Sequence, residues 1–583
     1  MMMRARGQRP ASGQLARLKG AFVGVGVFSA AISILMLTGS IYMLQIYDRV
    51  LTSRSIPTLI GMSAIVVAAF ALQGLLDAVR ARMLARIGAM FDEGLSPKVF
   101  DLIRRATLRG ARGDQATQGA RDLDAVRSFL ASPGPTAFFD MPFTPIFFIG
   151  CYLLHPVLGA MALFGVAMIF TFTLWTERAT RKPAADQTSA GSERQLLVDA
   201  SRRNAEALQA MGMGPTFRER WRSTNARFVE ANLSLADSTS GIGAAAKVFR
   251  MAFQSAILGV GAYLVILQQL SPGAMIAASI LAARALAPIE TAVAHWKGFV
   301  AARQAFARLN ASLELVGEEG ARTELPPPRL SFTAEDLSVG VPGRSAPLIA
   351  GANIALKAGE GLLLIGASGS GKSTLLRSLA GVWPIQRGAA RLDGATIDQW
   401  DPVQLGRHMG YMPQDVELFE GSVAENIARF LPDARDEDIV GAAKRAGAHD
   451  LILKLPDGYG TRIGEAGMTL SAGQRQRIGL ARALFGEPFL LLLDEPNSNL
   501  DTDGEAALVQ AVAAARARGG VAIVVSHKTS LLSAMDYVGR VHEGRLQIIT
   551  RDEYRQNLMR AAQARQAETE KQAGPAATAG ALR

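Results

Sequence analysis

The stretch Gly361–Thr374, GLLLIGASGSGKST, constrains this chain more than any other. Leu362–Ile365 is a short apolar run suited to a strand buried on both faces, and Gly366–Ser373 fits G-x-x-x-x-G-K-[ST] in full. Gly366, Gly369 and Gly371 let the backbone turn its N–H groups inward, and a helix beginning near Lys372 aims its positive end at the same point. Gly366, Ala367, Ser368, Gly369, Ser370, Gly371, Lys372, Ser373 and Thr374 are therefore expected to cradle a nucleoside triphosphate. Lys372 would reach the β- and γ-phosphates, and the Ser373 hydroxyl would sit on Mg²⁺.

Such a loop belongs to a soluble α/β domain, yet the chain has 583 residues, 49% of them hydrophobic, with the apolar weight in its first half. Six apolar runs there suit membrane spans near 21–46, 55–76, 135–154, 157–176, 251–270 and 272–292. The last four form two hairpins, broken at His155-Pro156 and at Ser271-Pro272-Gly273. The first run follows Arg4, Arg6, Arg9, Arg17 and Lys19, but it is too long for a signal peptide and lacks an A-x-A cleavage site, so it reads as a retained span. The segments after spans two and four are long and rich in arginine, for example Arg80, Arg82, Arg86, Arg178 and Arg181, so the positive-inside rule places both termini and both long segments in the cytoplasm. Apolar residues at helical spacing over 77–107 and 193–235 predict that the spans continue as rods beyond the bilayer.

The net charge of +11 fits a membrane protein with a basic cytoplasmic side, and no basic strip with interleaved aromatics points to nucleic acid. The single cysteine, Cys151, excludes a disulfide framework or a zinc site built on cysteine pairs, and reads as a packing residue. Asp140, Arg284 and Glu290 lie in or beside spans, where a charge either lines a polar path or forms an ion pair that fixes helix packing. Gly317–Arg329, with its charges, glycines and three prolines, is the linker. The expected layout is a basic N-terminus at 1–20, a six-helix transmembrane domain at 21–316, the linker at 317–329, a nucleotide-binding domain at 330–555, and a tail at 556–583 that forms a short helix and then disorder.

Phe489–Asp501, FLLLLDEPNSNLD, is a second buried strand, here ending in two carboxylates. Asp494 would hold Mg²⁺ through water, and Glu495 would polarise the attacking water. Leu470–Arg477, LSAGQRQR, opens a helix whose Ser and Gly backbone suits phosphate.

Taken in order, Gly366–Ser373, Gln414 in YMPQD, Ser471–Gln474, Asp494-Glu495, Ser498–Asp501 and His527 in VVSHK resemble the motifs of the ATP-binding cassette (ABC) ATPases. The resemblance implies that Gln414 contacts Mg²⁺ and senses the transmembrane domain, and that His527 contacts the γ-phosphate and holds the water and Glu495. It also implies a sandwich of two cassettes in which Ser471, Ala472, Gly473, Gln474 and Asp501 face the partner's nucleotide. One cassette and six spans are half of that arrangement, so a homodimer is expected. Glu465 resembles the exporter loop that touches the transmembrane helices. Gly110–Gly119 and Met211–Pro215 fall where exporters place the turns that dock on cassettes. Two departures stand out. Ala472 replaces a glycine of the signature, and the region that often stacks an aromatic on adenine offers only Val339 and Val341.

YMLQIYDRVLTS (Tyr42–Ser53), DMPFTPIFF (Asp140–Phe148), NAEALQAMGM (Asn204–Met213) and SPGAMIAASILAARALAPIE (Ser271–Glu290) resemble the permease-ATPases of type I secretion systems. With only about 20 residues before the first span, no peptidase-like domain is expected there. The resemblance implies the branch that exports proteases, lipases, S-layer or haem-scavenging proteins carrying an uncleaved C-terminal signal. The expected fold is thus a membrane all-α six-helix exporter domain followed by an α/β P-loop NTPase domain. ATP and Mg²⁺ are the expected ligands. A periplasmic adaptor (membrane fusion) protein, an outer-membrane channel, the secreted polypeptide and membrane lipids are the expected partners of a protein in the bacterial inner membrane. A lipid or drug half-transporter and a membrane-tethered nucleotide switch are the competing expectations.

Overall fold

The computed structural model describes residues 10–110, 113–316, 324–464 and 470–572. The chain divides into two compact units, Met1–Thr107 with Ala111–Gly317, and Leu108–Gly110 with Glu318–Arg583.

Among the described residues of the first unit, six helical stretches are long and apolar enough to cross a membrane: Lys19–Ser53, Ile56–Leu108, Gly134–Leu154, Pro156–Arg203, Gly214–Ile266 and Pro272–Ala294. Three of them run for 53, 48 and 53 residues. At about 1.5 Å per residue each is more than twice as long as the ~30 Å hydrocarbon core requires. The remainder of each rod lies outside any bilayer, and there its sequence turns polar. The hairpin turns follow local chemistry. His155 and Ser271 cap the next helix by accepting from the backbone of Val157 and Ala274, with Pro156 and Pro272 at the first helical position. Gly212, at φ 64°, ends the Ala205–Ala210 helix before Gly214–Ile266 begins, and Gly110, at φ 86°, closes Ile56–Leu108. Residues 111–112 and Glu465 lie outside the described residues.

Several buried polar groups in this unit are paired, while Ser40 Oγ, Thr144 Oγ1 and Trp296 Nε1 have no hydrogen-bond partner among the described residues. Thr173, Thr176 and Thr180 donate to carbonyls one turn back, at 3.0, 2.8 and 2.7 Å. Asp140 accepts from Arg80 at 2.6 Å, while Arg80, itself buried, also donates to Ser29 and Asp77. Glu290 lies 3.2 Å from Arg250. Asp140 and Glu290 thus have ion-pair partners, and Arg284 has none among the described residues. The helix Pro10–Arg17 packs on Trp296–Val316, where the Ala11 N–H donates to Asn310 Oδ1 at 3.0 Å and Ala11 and Leu18 are buried.

In the second unit the strands are β1 (Ser331–Val339), β2 (Ile349–Lys357), β3 (Gly361–Gly366), β4 (Arg387–Leu392), β5 (Ala395–Thr396), β6 (Met409–Met412), β7 (Gly421–Ser422), β8 (Arg462–Ile463), β9 (Leu490–Asp494), β10 (Val521–Val525), β11 (Tyr537–His542) and β12 (Arg545–Thr550). The main sheet has the order β12-β11-β3-β10-β9-β6, parallel except for β12. A second, antiparallel sheet has the order β2-β1-β4-β5. Strand alternation divides the core in two. Leu362, Leu364, Leu490, Leu492, Val521 and Ile523 face the side that carries the antiparallel sheet, and Leu363, Leu491, Leu493, Ala522 and Val524 face the helical side. With both faces covered, these strands are near-continuous apolar runs. Their carboxyl ends gather Gly366, Asp494 and Val525 at one edge, where parallel sheets bind ligands. After β12 the helix Arg551–Gln572 runs further than the short helix expected of the tail, and 573–583 lie outside the described residues.

Candidate active site

Strand β3 leads into the glycine loop, and the loop into the helix Lys372–Leu379. Gly371 takes φ 100°, and a Cβ on Gly366 would stand 2.6 Å from the Val541 carbonyl oxygen, so both positions require glycine. Ala367, Ser368 and Gly369 are exposed at the rim. Lys372 is buried, with Nζ donating to the carbonyls of Gly366 and Ala367 at 3.0 and 2.9 Å. Its ammonium therefore lies inside the loop's own concavity. Burial pulls the Lys372 pKa down, against the attraction of Glu495 and Asp494. The Ser370 hydroxyl is buried with no partner among the described residues, and Thr374 is buried in the first helical turn.

Strand β9 carries Asp494 to this point. Ser373 Oγ donates to Asp494 Oδ1 at 3.0 Å, while Asp494 Oδ2 is buried without a hydrogen-bond partner among the described residues. Burial pushes the Asp494 carboxyl up, against Ser373, Arg377 and Lys372. An orphaned carboxylate oxygen beside a hydroxyl is a hard-oxygen donor set that fits Mg²⁺, which takes one or two carboxylates and completes its shell with phosphate and water. Among the described residues no cluster of three His, Cys, Asp or Glu side chains offers an all-protein metal cage.

Glu495 adopts φ 47°, a left-handed backbone unusual for a residue with a side chain, with a cost of about 1–3 kcal/mol that neighbouring bonds must sustain. Its N–H donates to Val525 O at 3.0 Å. Its carboxylate accepts from Gln414 Nε2 at 3.3 Å and lies 3.3 Å from His527 Nε2. Gln414 and His527 are exposed, so Glu495 stands between two side chains that open to solvent.

Ser471 caps the helix Ala472–Leu484 with a full capping box: Gln474 N donates to Ser471 Oγ, and Ser471 N donates to Gln474 Oε1. Ala472 is the first helical residue and is not among the positive-φ positions, so alanine costs the turn nothing. Gly473 approaches the next loop so closely that a Cβ would stand 2.9 Å from Asn499 O. Asp501 caps the helix Thr502–Ala517 through Gly504 N and pairs with Arg477, and these two partners hold its carboxyl below the usual value. Val341 is half-buried in the turn after β1, where its carbonyl accepts from Arg344 N, and Val339 is fully buried in the core. A Cβ on Gly371 would meet Ile349 and Leu348, at 3.2 and 3.4 Å.

One buried residue here went unnoticed in the sequence. Gln476, 3% exposed, donates to Glu495 O and Ser498 Oγ and accepts from Asn499 N. The only signal for it was a second glutamine two residues after Gln474, which any exposed helix could carry.

Family profiles match both units: ABC transporter transmembrane region over residues 22–287 and ABC transporter over residues 349–498. The chain is 49% identical over 529 residues to the type I secretion system ATP-binding protein PrsD of Rhizobium meliloti (strain 1021), covering 91% of each. It is 28% identical over 533 residues to the alpha-hemolysin translocation ATP-binding protein HlyB of Escherichia coli, covering 90% of this chain and 75% of the relative. To the cyclolysin secretion/processing ATP-binding protein CyaB of Bordetella pertussis (strain Tohama I) it is 27% identical over 519 residues, covering 88% and 72%. Among solved structures, a bacterial Atm1-family ABC exporter with ATP bound is alike in fold, with a TM-score of 0.81 over 95% of this chain and 99% of that one at 22% identity.

Proposed function

This chain belongs to the ABC transporters of type I secretion systems, and from that premise we propose that it is an ATP-hydrolysing exporter that drives polypeptides across the bacterial inner membrane. It is a multi-pass membrane protein with an ABC exporter fold and an ATPase domain coupled to transport. The observation that carries the cargo assignment is the 49% identity to PrsD across 91% of both chains. The likeness to the Atm1-family exporter, at 22% identity, speaks for fold and leaves the cargo to the closer relatives.

In the cycle we infer, two copies close on two triphosphates. Gly366–Thr374 bind the phosphates through the loop N–H groups and Lys372, and Ser471–Gln474 approach the partner's nucleotide. Ser373, Asp494 and Gln414 would hold Mg²⁺, which when bound neutralises charge between the β- and γ-phosphates. Glu495 accepts a proton from the attacking water, with His527 and Gln414 aiming its carboxylate. Loss of the γ-phosphate opens the pair, and the long helices carry that motion to the spans. Both termini and the ATPase domain lie in the cytoplasm in this reading. A periplasmic adaptor and an outer-membrane channel complete the route, and the cargo is an unfolded polypeptide with a C-terminal signal.

The test is ATPase activity of purified protein in lipid, with a synthetic C-terminal segment of a secreted protein, a set of lipophiles, or neither. A rate change with the segment alone supports the reading. A response confined to lipophiles would transfer this chain to lipid or drug export, and no response to either would leave a nucleotide switch.

A further inference from the structure

We propose that Gln476 is a positioning residue for hydrolysis: it fixes the left-handed peptide that aims Glu495 and ties that peptide to the signature helix and to the loop Ser498–Asp501. The inference rests on the assignment of Glu495 made above. A glutamine amide has two N–H donors and one carbonyl acceptor, and the structure uses all three functions on neighbouring backbone or loop groups. Gln476 Nε2 donates to Glu495 O at 3.2 Å and to Ser498 Oγ at 3.2 Å, and Oε1 accepts from Asn499 N at 2.9 Å. The side chain is 3% exposed, so water does not compete for these bonds.

The position explains why the tie matters. Glu495 at φ 47° is held from one side by its N–H on Val525 O, which extends the ladder with β10. On the other side its carbonyl accepts from Ser498 N at 3.3 Å and from Gln476. The carboxylate's two neighbours, Gln414 and His527, are both exposed, whereas Gln476 is anchored in a helix whose next residues, Ile478, Gly479 and Leu480, are buried. Gln476 is thus the buried side chain that sets the direction of the Glu495 peptide. It also stands one turn from Ser471–Gln474, so a displacement of the signature turn toward a partner's triphosphate is felt at Glu495 of the same chain. Phosphate binding at one site and water activation at the other then share one amide.

The experiment uses the full-length protein in lipid and measures MgATP kinetics and thermal unfolding for Gln476→Met, which keeps volume and loses all three bonds, and for Gln476→Glu, which keeps an acceptor for Asn499 N but cannot, when ionised, donate to Glu495 O. Both should lower kcat by about tenfold or more, with KM for MgATP within about threefold of the parent. A folded Gln476→Met with kcat within about twofold of the parent overturns the proposal. So does a Gln476→Glu variant at full rate at alkaline pH, where its carboxyl is ionised, because the donated bond to Glu495 would then be dispensable, and so does a fall in kcat matched by an equal loss of nucleotide affinity. Should Gln476→Met fail to fold, Gln476→Glu decides alone. Glu495→Gln is measured beside them. Normal hydrolysis in that variant removes the assignment of Glu495 itself, whereas an inert Glu495→Gln beside a fully active Gln476→Met removes only the role of Gln476.

Discussion

Asp494 and Lys372 are both held away from their charged forms by burial, one carboxyl pushed up and one ammonium pulled down. For Asp494 the folded protein keeps a proton that the unfolded chain would release. Its contribution to stability is therefore present below the unfolded value and is lost as pH rises through the folded one. A cation beside the carboxylate favours its ionised form instead, so Mg²⁺-dependent nucleotide binding should weaken as pH falls through the raised value of Asp494. Asp494→Asn should leave thermal stability without nucleotide equal or higher, and should cost about tenfold or more in apparent Mg²⁺ affinity, read from thermal shifts across a Mg²⁺ titration. Arg429 is a second cation that burial disfavours. At φ 56° it sends its guanidinium to the carbonyls of Arg482, Met409 and Ala483 at 2.9, 3.1 and 3.0 Å, and burial pulls its pKa down to about 10. Arg429→Met should destabilise the ATPase unit by about 2–4 kcal/mol by stranding those carbonyls, with a matching fall in Tm. Neither Arg429 nor Gln476 was legible in the sequence, because their partners are carbonyls and loop groups brought together only by the fold. Ser373 and Asp494, 121 residues apart and now 3.0 Å from each other, were legible as candidates because each ends or follows a buried strand inside a motif.

At the scale of elements, the helices of the membrane unit were readable because hydropathy is a local property, while the contacts that bind one helix to another are not. The phrases around Tyr42–Ser53 and Ser271–Glu290 looked like separate family marks. In the structure they meet. A π-helical turn at Ile46–Val50 places Asp48 so that Oδ2 accepts from Ser271 Oγ at 2.6 Å and Oδ1 from Gly273 N at 3.0 Å, capping the helix Pro272–Ala294 across more than 220 residues. The approach is so close that a Cβ on Gly273 would stand 2.6 Å from Asp48 Oδ1 and 2.7 Å from Leu44 O. Gly273→Ala should cost about 1–3 kcal/mol by forcing the first and last spans apart, and Asp48→Ala about 1–2 kcal/mol by removing the cap, both read from thermal unfolding in detergent. Equal stability of Gly273→Ala and the parent would show that these helices are not in contact there. The Pro10–Arg17 helix belongs to the same class of long-range fact: its hydrogen bond to Asn310 spans 299 residues, and a basic tail was all that its composition suggested.

For the molecule as a whole, the decisive property is that one chain holds a phosphate loop and a signature turn that, in the sandwich inferred here, serve different nucleotides. In this chain the signature helix opens on an exposed Ser471 and Ala472, with the N–H groups of Ser471 and Gln474 taken up by the capping box and its positive end facing outward. If those groups act across a pair of chains, two inactive variants should rescue each other. Lys372→Ala damages the loop and Ser471→Arg the signature, so a dimer of either alone has two defective sites. A mixed dimer concentrates both lesions in one site and leaves the other intact. Co-expression and purification through two different tags should return about a quarter of the parent ATPase rate to a statistical mixture, and about half to the isolated mixed dimer, provided the intact site turns over by itself. If each signature served the loop of its own chain, the mixed dimer would have one lesion at each site and would stay as inactive as its parents. Rescue, or its absence, thus separates a shared pair of sites from two private ones without requiring any knowledge of the cargo.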